Sequence, residues 1–255
     1  MSLKGLSMQT NDRIAQLLDL LSKYKDGVGI NQISETVNLP LSTTHRMLDG
    51  LKSNGLVIQD SISRRYKLGV KILTLAANMI NDMDIIKIAK PIIEDLSTKY
   101  GQLMFLSVLE NNQIVCVDMV NNAPGMKFYV QVGANMPVYC SASGKIIAAY
   151  LDDIQIDKIL QVESRTKFTD NTKLDIDEIK KELKIAKELG YSICDEEMEL
   201  GVRAISTPIR NRDGNVFASI TIMLMKHLDN DECRIIHDLK DASDKISGHL
   251  GYVKN

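Results

Sequence analysis

The amino-acid sequence predicts an α+β fold in two parts, a small helical head and a larger domain with a mostly antiparallel sheet. Three segments of helical period, followed by two short strand signals, fill the first 68 residues. After residue 100, paired strand signals alternate with amphipathic helices, which is typical of an α+β domain. A chain of 255 residues has room for two domains, at roughly 100–200 residues each.

Composition and charge are those of a globular protein with one basic end. Apolar residues make up 44% of the chain and charged residues 25%, and no apolar run reaches the ~20 residues that a membrane-spanning helix needs. Residues 1–78 hold ten Lys and Arg against six Asp and Glu, while the remainder is acidic. A basic head on an acidic body favours a polyanion-binding module attached to another domain.

The spacing of the cysteines and the N-terminal sequence predict a cytoplasmic protein that does not bind a membrane. The four cysteines are scattered and form no CxxC pair, which fits reduced thiols better than a disulfide framework or a structural zinc site. No basic-then-apolar signal peptide opens the chain. We therefore expect no metal and no cofactor.

The head, residues 1–68, is predicted to be a helix-turn-helix. An apolar face predicts the first helix over residues 11–22. Asn31 is expected to cap a second helix that runs to Val37, and Pro40 ends it because proline disfavours helix at the preceding residue. Ser42 is expected to cap the third helix. Its predicted buried stripe is Thr44, Met47, Leu48 and Leu51.

Polar side chains off this stripe predict contact with double-stranded DNA. A helix N-terminus favours a phosphate, and Arg46, one turn in, can reach guanine O6 and N7 in the major groove. Strands at 56–58 and 66–68 flank a turn with two arginines beside it, which predicts a basic wing. A three-helix bundle with a hairpin need not bind anything, but the basic excess favours DNA. The expected contact residues are Ser42, Thr43, His45, Arg46, Lys52, Arg64 and Arg65.

A linker helix is predicted after the head. The expected boundaries are 1–68 for the winged helix-turn-helix, 69–83 for the linker and 84–255 for the second domain, with Asp84 capping the next helix. The linker's apolar stripe lies outside the head and needs a partner, so we expect dimerisation. Packing on the chain's own second domain is the alternative. The stripe consists of Ile72, Leu73, Ala76, Met79 and Ile80.

The second domain combines strands and helices. Pro91 is expected to kink or divide a helix over 85–99. Later helices are predicted at 143–151, 157–162, 175–189 and 231–250. Strands are predicted at 103–109, 114–119, 127–132, 192–195, 204–210 and 217–225.

Three blocks of the sequence stand out for their residue order and spacing. They are LPLSTTHRML at 39–48, PVYCSASGK at 137–145, and KELGYSICDEEMELGVRAISTPIRNRDGNVFASITI at 187–222. Together they resemble the IclR-type bacterial transcription regulators. The resemblance spans about residues 10–251. It implies a winged helix-turn-helix, a linker helix and a GAF-like effector-binding domain, assembled as a dimer or a dimer of dimers. It also implies a cytoplasmic regulator that senses a small metabolite, often a carboxylate or an aromatic acid.

The resemblance also implies where an effector binds. Family members that bind small oxo-acids use an acid at the position of Cys194 and hydroxyls near 221 and 223. This chain lacks that acid and has methionine at 223, so a bulkier or less polar effector is expected. A helix that opens in SASGK also exposes N–H groups suited to a carboxylate; the alternative is that Ser143 only caps the helix and Lys145 points to solvent. The implied pocket residues are Ser141, Ala142, Ser143, Gly144, Cys194, Ala204, Thr221 and Met223.

Two other functional classes stay open at this stage. A cysteine-dependent enzyme could use Cys140 or Cys194 with a histidine, although no local signature is present, and the acidic run Asp195–Glu199 reads better as a salt-bridging cluster with Arg203. A metal- or thiol-redox-sensing regulator needs about four converging ligands. The residues available to it are Cys116, Cys140, Cys194, His227, His237 and His249.

Overall fold

A computed structural model describes residues 3–123, 130–228 and 231–253, with side chains from residue 10 onward. The chain divides into two compact units, Met1–Asp82 and Met83–Asn255. Across the described ranges, no helix combines the length and the apolar character needed to cross a membrane.

The first unit is a three-helix head closed by a hairpin and followed by a fourth helix. The elements are α1 Leu3–Lys23, α2 Ile30–Thr36, α3 Leu41–Ser53, β1 Val57–Gln59, β2 Tyr66–Leu68 and α4 Val70–Asp82. Strands β1 and β2 pair antiparallel, with Val57 opposite Leu68. The core lies between α1, α2, α3 and the hairpin, and includes Leu17, Ile33, Leu48 and Tyr66.

The predicted helix caps in the head are wrong. Helix α2 begins at Ile30 after Gly29, so Asn31 lies inside it. Helix α3 begins directly after Pro40, whose carbonyl accepts the backbone N–H groups of Thr43 and Thr44. Proline has the fixed φ that suits a helix start, so the helix begins two residues earlier than expected, at Leu41. The Ser42 side chain is therefore not used as a cap.

The second unit is built on a five-stranded antiparallel sheet. The elements are α5 Asp84–Tyr100, β3 Leu103–Glu110, β4 Gln113–Asn121, α6 Ala142–Ala148, α7 Asp153–Val162, α8 Ile176–Leu189, β5 Ser192–Asp195, β6 Val202–Arg210, β7 Val216–Met225 and α9 Glu232–His249. The strands lie in the order β4-β3-β7-β6-β5. The β3–β4 hairpin turns at Asn111 and Asn112, both with positive φ, a conformation that asparagine tolerates well.

Helices cover both faces of this sheet. Thr207 on β6 donates a hydrogen bond to the carbonyl of Leu239 on α9. Its neighbour Ser206 pairs with Ser192, which donates to the carbonyl of Ala142 on α6. Successive residues of a strand face opposite sides, so α9 and α6 lie on opposite faces. Helix α5 packs on β3 and β4.

Several predicted features of the second unit differ from the structure. Pro91 lies inside a single helix, α5, whose N-cap is Met83 rather than Asp84. The predicted strand at 127–132 falls outside the described residues at 127–129, and its remainder is not strand. Helix α6 ends at Ala148 rather than at 151, and α7 begins four residues before its predicted start.

Candidate functional site

The outer face of α3 presents most of the side chains expected to contact DNA. Ser42, His45, Arg46 and Lys52 are exposed, and Thr43 is half-buried. The inner stripe holds the helix on the head through the buried Thr44, Leu48 and Leu51. Lys52 forms an exposed ion pair with Asp49 at 3.3 Å. The face is therefore largely polar and fixed in place.

The wing turn is held by one carboxylate. Asp60 Oδ1 accepts hydrogen bonds from the backbone N–H groups of Ile62 and Ser63 and from the Ser63 hydroxyl. The backbone N–H of Ser63 is the main reason that the pKa of Asp60 lies below its ordinary value. These bonds close the turn locally.

The two wing arginines differ in what they contact. Arg64 is exposed and has φ +59°, which places its side chain at the turn. Arg65 Nη1 donates to the carbonyl of Gly27 at 3.2 Å and ties the hairpin to the connection between α1 and α2. Sequence patterns predict the same role for both arginines, whereas the structure gives Arg65 a structural contact as well.

The start of α6 is buried in the core of the second unit. Ser141, not Ser143, is the N-cap: its Oγ accepts the Gly144 N–H at 2.9 Å and donates to the Pro137 carbonyl at 2.6 Å. A Cβ at Gly144 would lie 2.3 Å from that carbonyl oxygen, so glycine is required there. Ser143 is fully buried, and its Oγ has no hydrogen-bond partner among the described groups.

Lys145 is buried rather than solvated, so the solvent-facing alternative is wrong. Its Nζ lies 2.5 and 2.7 Å from the two carboxylate oxygens of Glu197 and 2.6 Å from Glu182. Glu182 also pairs with Lys173. This network joins α6, α8 and the segment after β5. It fixes α6 against the edge of the sheet.

A cavity of about 380 Å³ lies between the sheet and the start of α6. Ten of its twelve lining residues are apolar, as is usual for a small-molecule site. The only two polar residues of this lining, among those the structure describes, are Ser141 and Glu199. The full lining is Phe105, Val130, Met136, Ser141, Ala142, Phe168, Cys194, Met198, Glu199, Val202, Ala204 and Met223.

Five of the eight residues expected in a pocket line this cavity, namely Ser141, Ala142, Cys194, Ala204 and Met223. Cys194, Ala204 and Met223 are adjacent because β5, β6 and β7 pair in that register. Ser143, Gly144 and Thr221 are buried but do not belong to this lining. The Thr221 hydroxyl donates to Ser206 Oγ at 2.8 Å. The assignment of all eight as effector contacts stays a prediction.

Sequence reasoning missed the cavity residues that come from connecting segments. Phe168, Met198 and Glu199 lie between regular elements, where no periodicity marks the face that a side chain occupies. Burial raises the pKa of Glu199 above its ordinary value. This glutamate belongs to a run of acids, and nothing in that run marks it as the member that faces the cavity.

The three buried cysteines are poorly suited to act as catalytic nucleophiles. Burial raises the thiol pKa of Cys194 to about 11 and that of Cys116 to about 12, and it raises the Cys140 thiol pKa as well. A buried thiol is a poor nucleophile because the thiolate is disfavoured. In the described ranges, no three His, Cys, Asp or Glu residues are grouped to hold a metal ion.

The expected salt bridge of the acidic run is confirmed, since Asp195 Oδ2 lies 2.8 Å from Arg203 Nη1.

A winged helix-turn-helix followed by a sheet domain with an apolar cavity is the architecture of a one-component transcription regulator, in which one polypeptide carries a DNA-binding domain and a ligand-binding domain. The chain belongs to the IclR family of bacterial transcription regulators: residues 77–248 match the family model for the bacterial transcriptional regulator IclR C-terminal domain, and residues 11–61 match that for the IclR helix-turn-helix domain. The resemblance seen in the sequence and the α+β fold are thereby confirmed. The family is one of regulators and not of enzymes.

Relatives match along nearly the whole chain. An uncharacterized HTH-type transcriptional regulator of Haemophilus influenzae is 31% identical over 98% of this chain and 95% of that protein. The HTH-type transcriptional regulator XynR of Escherichia coli is 28% identical over 96% and 98%.

Solved structures share the fold. An IclR regulator from Alicyclobacillus acidocaldarius superposes with a TM-score of 0.80 and 26% identity, over 95% of this chain and 98% of that one. An IclR homolog from Microbacterium hydrocarbonoxydans, in complex with 4-hydroxybenzoate, has a TM-score of 0.78 and 21% identity over 94% and 98%. At that identity the second likeness concerns the fold alone.

Proposed function

We propose that a small organic effector binds in the apolar cavity of the second unit and shifts the affinity of this regulator for its operator. The observation that carries the proposal is the cavity itself, whose volume of about 380 Å³ lies in the range of small-molecule sites. The buried Lys145–Glu197 pair fixes the helix that forms one wall. Such a site needs no large rearrangement before it binds.

The effector in this proposal is a small organic acid, and an aromatic one fits the apolar walls best. Its carboxylate would lie at the start of α6 against Ser141 and Ala142, which line the cavity, and the Gly144 N–H is already bonded to Ser141. The apolar part would contact Cys194, Ala204 and Met223. Each Å² of apolar surface removed from water would contribute ~25 cal/mol.

The DNA-reading part of the proposal rests on α3 and the wing. Arg46 would contact a base edge, since its side chain is exposed one turn into the helix. The other expected contacts would position the head on the phosphate backbone. Those residues are Ser42, Thr43, His45, Lys52, Arg64 and Arg65.

Helix α4 would pair two copies of the chain. It buries none of its residues, and Leu73 and Met79 are 67% and 59% exposed. An apolar stripe of this kind favours self-association into a homodimer or a dimer of dimers. Two copies of α3 related by a two-fold axis would then read a near-palindromic operator.

Footprinting on the DNA upstream of the chain's own gene tests the proposal. The protein is expected to protect a near-palindromic site, and protection is expected to change when short-chain and aromatic acids are added singly. A protected site that responds to none of these acids would contradict the proposed effector class. Chemical conversion of an added acid by the protein would contradict a purely sensory role.

A further inference from the structure

One carboxylate beside the cavity differs from its neighbours. The segment from 195 to 199 contains four acids, and three of them are bound to cations. Within the part of the chain that the structure describes, the fourth, Glu199, has no hydrogen-bond or ion-pair partner for its carboxylate. The three bound acids are Asp195 with Arg203, Glu196 with Lys226, and Glu197 with Lys145.

The loop that carries Glu199 is held at both ends. The Glu196 N–H donates to the Val202 carbonyl at 2.9 Å, and the Lys226 N–H donates to the Gly201 carbonyl at 2.9 Å. Thr169 Oγ1 donates to the Glu196 carbonyl at 2.6 Å. Because the loop is anchored in this way, Glu199 keeps its place in the cavity lining and does not swing freely with a flexible segment.

The surroundings of Glu199 favour a partner supplied by a ligand. It is half-buried, and the described lining of the cavity contains no basic side chain. The Lys145 ammonium, on the helix whose start lines the cavity, is already bound by two carboxylates. An ionised carboxylate is only an acceptor of hydrogen bonds, so a ligand that displaces water from Glu199 must present a donor to it.

We propose that Glu199 selects an effector that carries a hydrogen-bond donor, a hydroxyl or an amino group, at the end that meets this carboxylate. The inference rests on the proposed function and narrows its ligand class. Like charges repel strongly where water is partly excluded. An acid effector must therefore keep its own carboxylate away from Glu199, toward Ser141 and Ala142, and present the donor at its other end. The effector would thus be two-ended: a hydroxy or amino derivative of an aromatic acid.

Three benzoates that differ at one position test this inference in the full-length protein. They are 4-hydroxybenzoate, 4-(aminomethyl)benzoate and 4-fluorobenzoate, which has a similar shape to the hydroxy compound but no donor. Calorimetry on the wild type is expected to give at least about tenfold tighter binding of each donor compound than of the fluoro compound, the scale of a hydrogen bond to a charged group.

Two matched variants separate charge from hydrogen bonding. Glu199→Gln keeps an acceptor and is expected to retain part of the preference for the hydroxyl while it loses most of the preference for the ammonium. Glu199→Met keeps the length but has no oxygen, and both preferences should shrink to within about threefold. Because Glu199 holds no other described group in place through its side chain, both variants should unfold at the wild-type temperature.

The results of these binding measurements show whether the selection by Glu199 fails alone or the proposed effector class fails as well. If the wild type binds the three benzoates equally, or if the preference survives in Glu199→Met, Glu199 does not select the ligand. If none of the three binds the wild type, the proposal of an aromatic acid in this cavity fails, and the inference fails with it.

Discussion

Helices α3 and α6 open on similar sequences, yet α3 exposes one face to solvent and α6 lies wholly in the core. Each begins with small hydroxyl residues and reaches a cation within the first turns, STTHR in α3 and SASGK in α6. Arg46 is exposed, whereas the side chain of Lys145 is only 3% exposed. Every residue of α6 is buried, but only three residues of α3 are. Residue type at a helix start therefore does not decide which surface the helix serves.

The difference comes from the later residues of each helix and from the elements that pack against it. Helix α3 alternates apolar and polar residues at helical period, so one face stays in water. Helix α6 runs into Ile146 and Ile147, and it lies between the sheet and α8. The cation of α6 is balanced by acids that lie 37 and 52 positions further along the chain, Glu182 and Glu197. An exposed polar face can meet a macromolecule, whereas a buried one can only shape an interior site.

The largest expected effect concerns the buried cation. Lys145→Ala should lower the free energy of unfolding by about 3–5 kcal/mol, because the buried Glu197 carboxylate would lose its partner. Lys52→Ala on α3 is the matched control, since its ion pair is exposed and should contribute at most ~0.5 kcal/mol. Denaturant unfolding of both variants measures the difference. Equal losses would show that the two cations are not in the different environments described.

The next effect concerns the apolar stripe of α4. The double variant Leu73→Asp, Met79→Asp should dissociate the assembly, since burial of each side chain would contribute roughly 1.5–3 kcal/mol. Sedimentation velocity measures the assembly, and a gel-shift titration measures operator affinity. An unchanged mass together with full operator affinity would show that the stripe does not pair two copies.

A smaller effect is expected at the exposed helix. Arg46→Ala should weaken binding to the operator by ~1–3 kcal/mol, the scale of one good base contact. Binding to unrelated DNA of equal length should change much less and serves as the control. If the operator is bound at wild-type strength, α3 does not read bases through this side chain.

The smallest effect separates the two wing arginines. Arg64→Ala should weaken binding to all sequences alike and lower the slope of log affinity against log salt by about one. Arg65→Ala should do the same and also destabilise the head, because it removes the bond to the Gly27 carbonyl. Equal thermal stability of the two variants would contradict the structural role of Arg65.

The sequence predicted the regular elements better than the site. Strand β5 and the hairpin strand β2 match their predicted bounds, because alternation and turn residues are local signals. The cap of α3 was misplaced because Pro40 starts the helix without a side-chain cap. The positions of Phe168 and Glu199 in the cavity wall depend on how the connecting segments fold over the sheet. They could not be predicted from the sequence, because no local pattern of residues determines that folding.

The central claim is that the interior cavity of the second unit controls the exposed helix of the head, and Met223→Asp tests it most directly. A buried charge in the lining should abolish the change in operator affinity, typically ~1–3 kcal/mol, that the effector causes in the wild type. Binding to DNA without effector should stay intact, and Met223→Leu, which conserves volume, should keep the response. Operator titrations with and without the benzoate that binds the wild type most tightly provide the measurement. An undiminished response in Met223→Asp would contradict the claim.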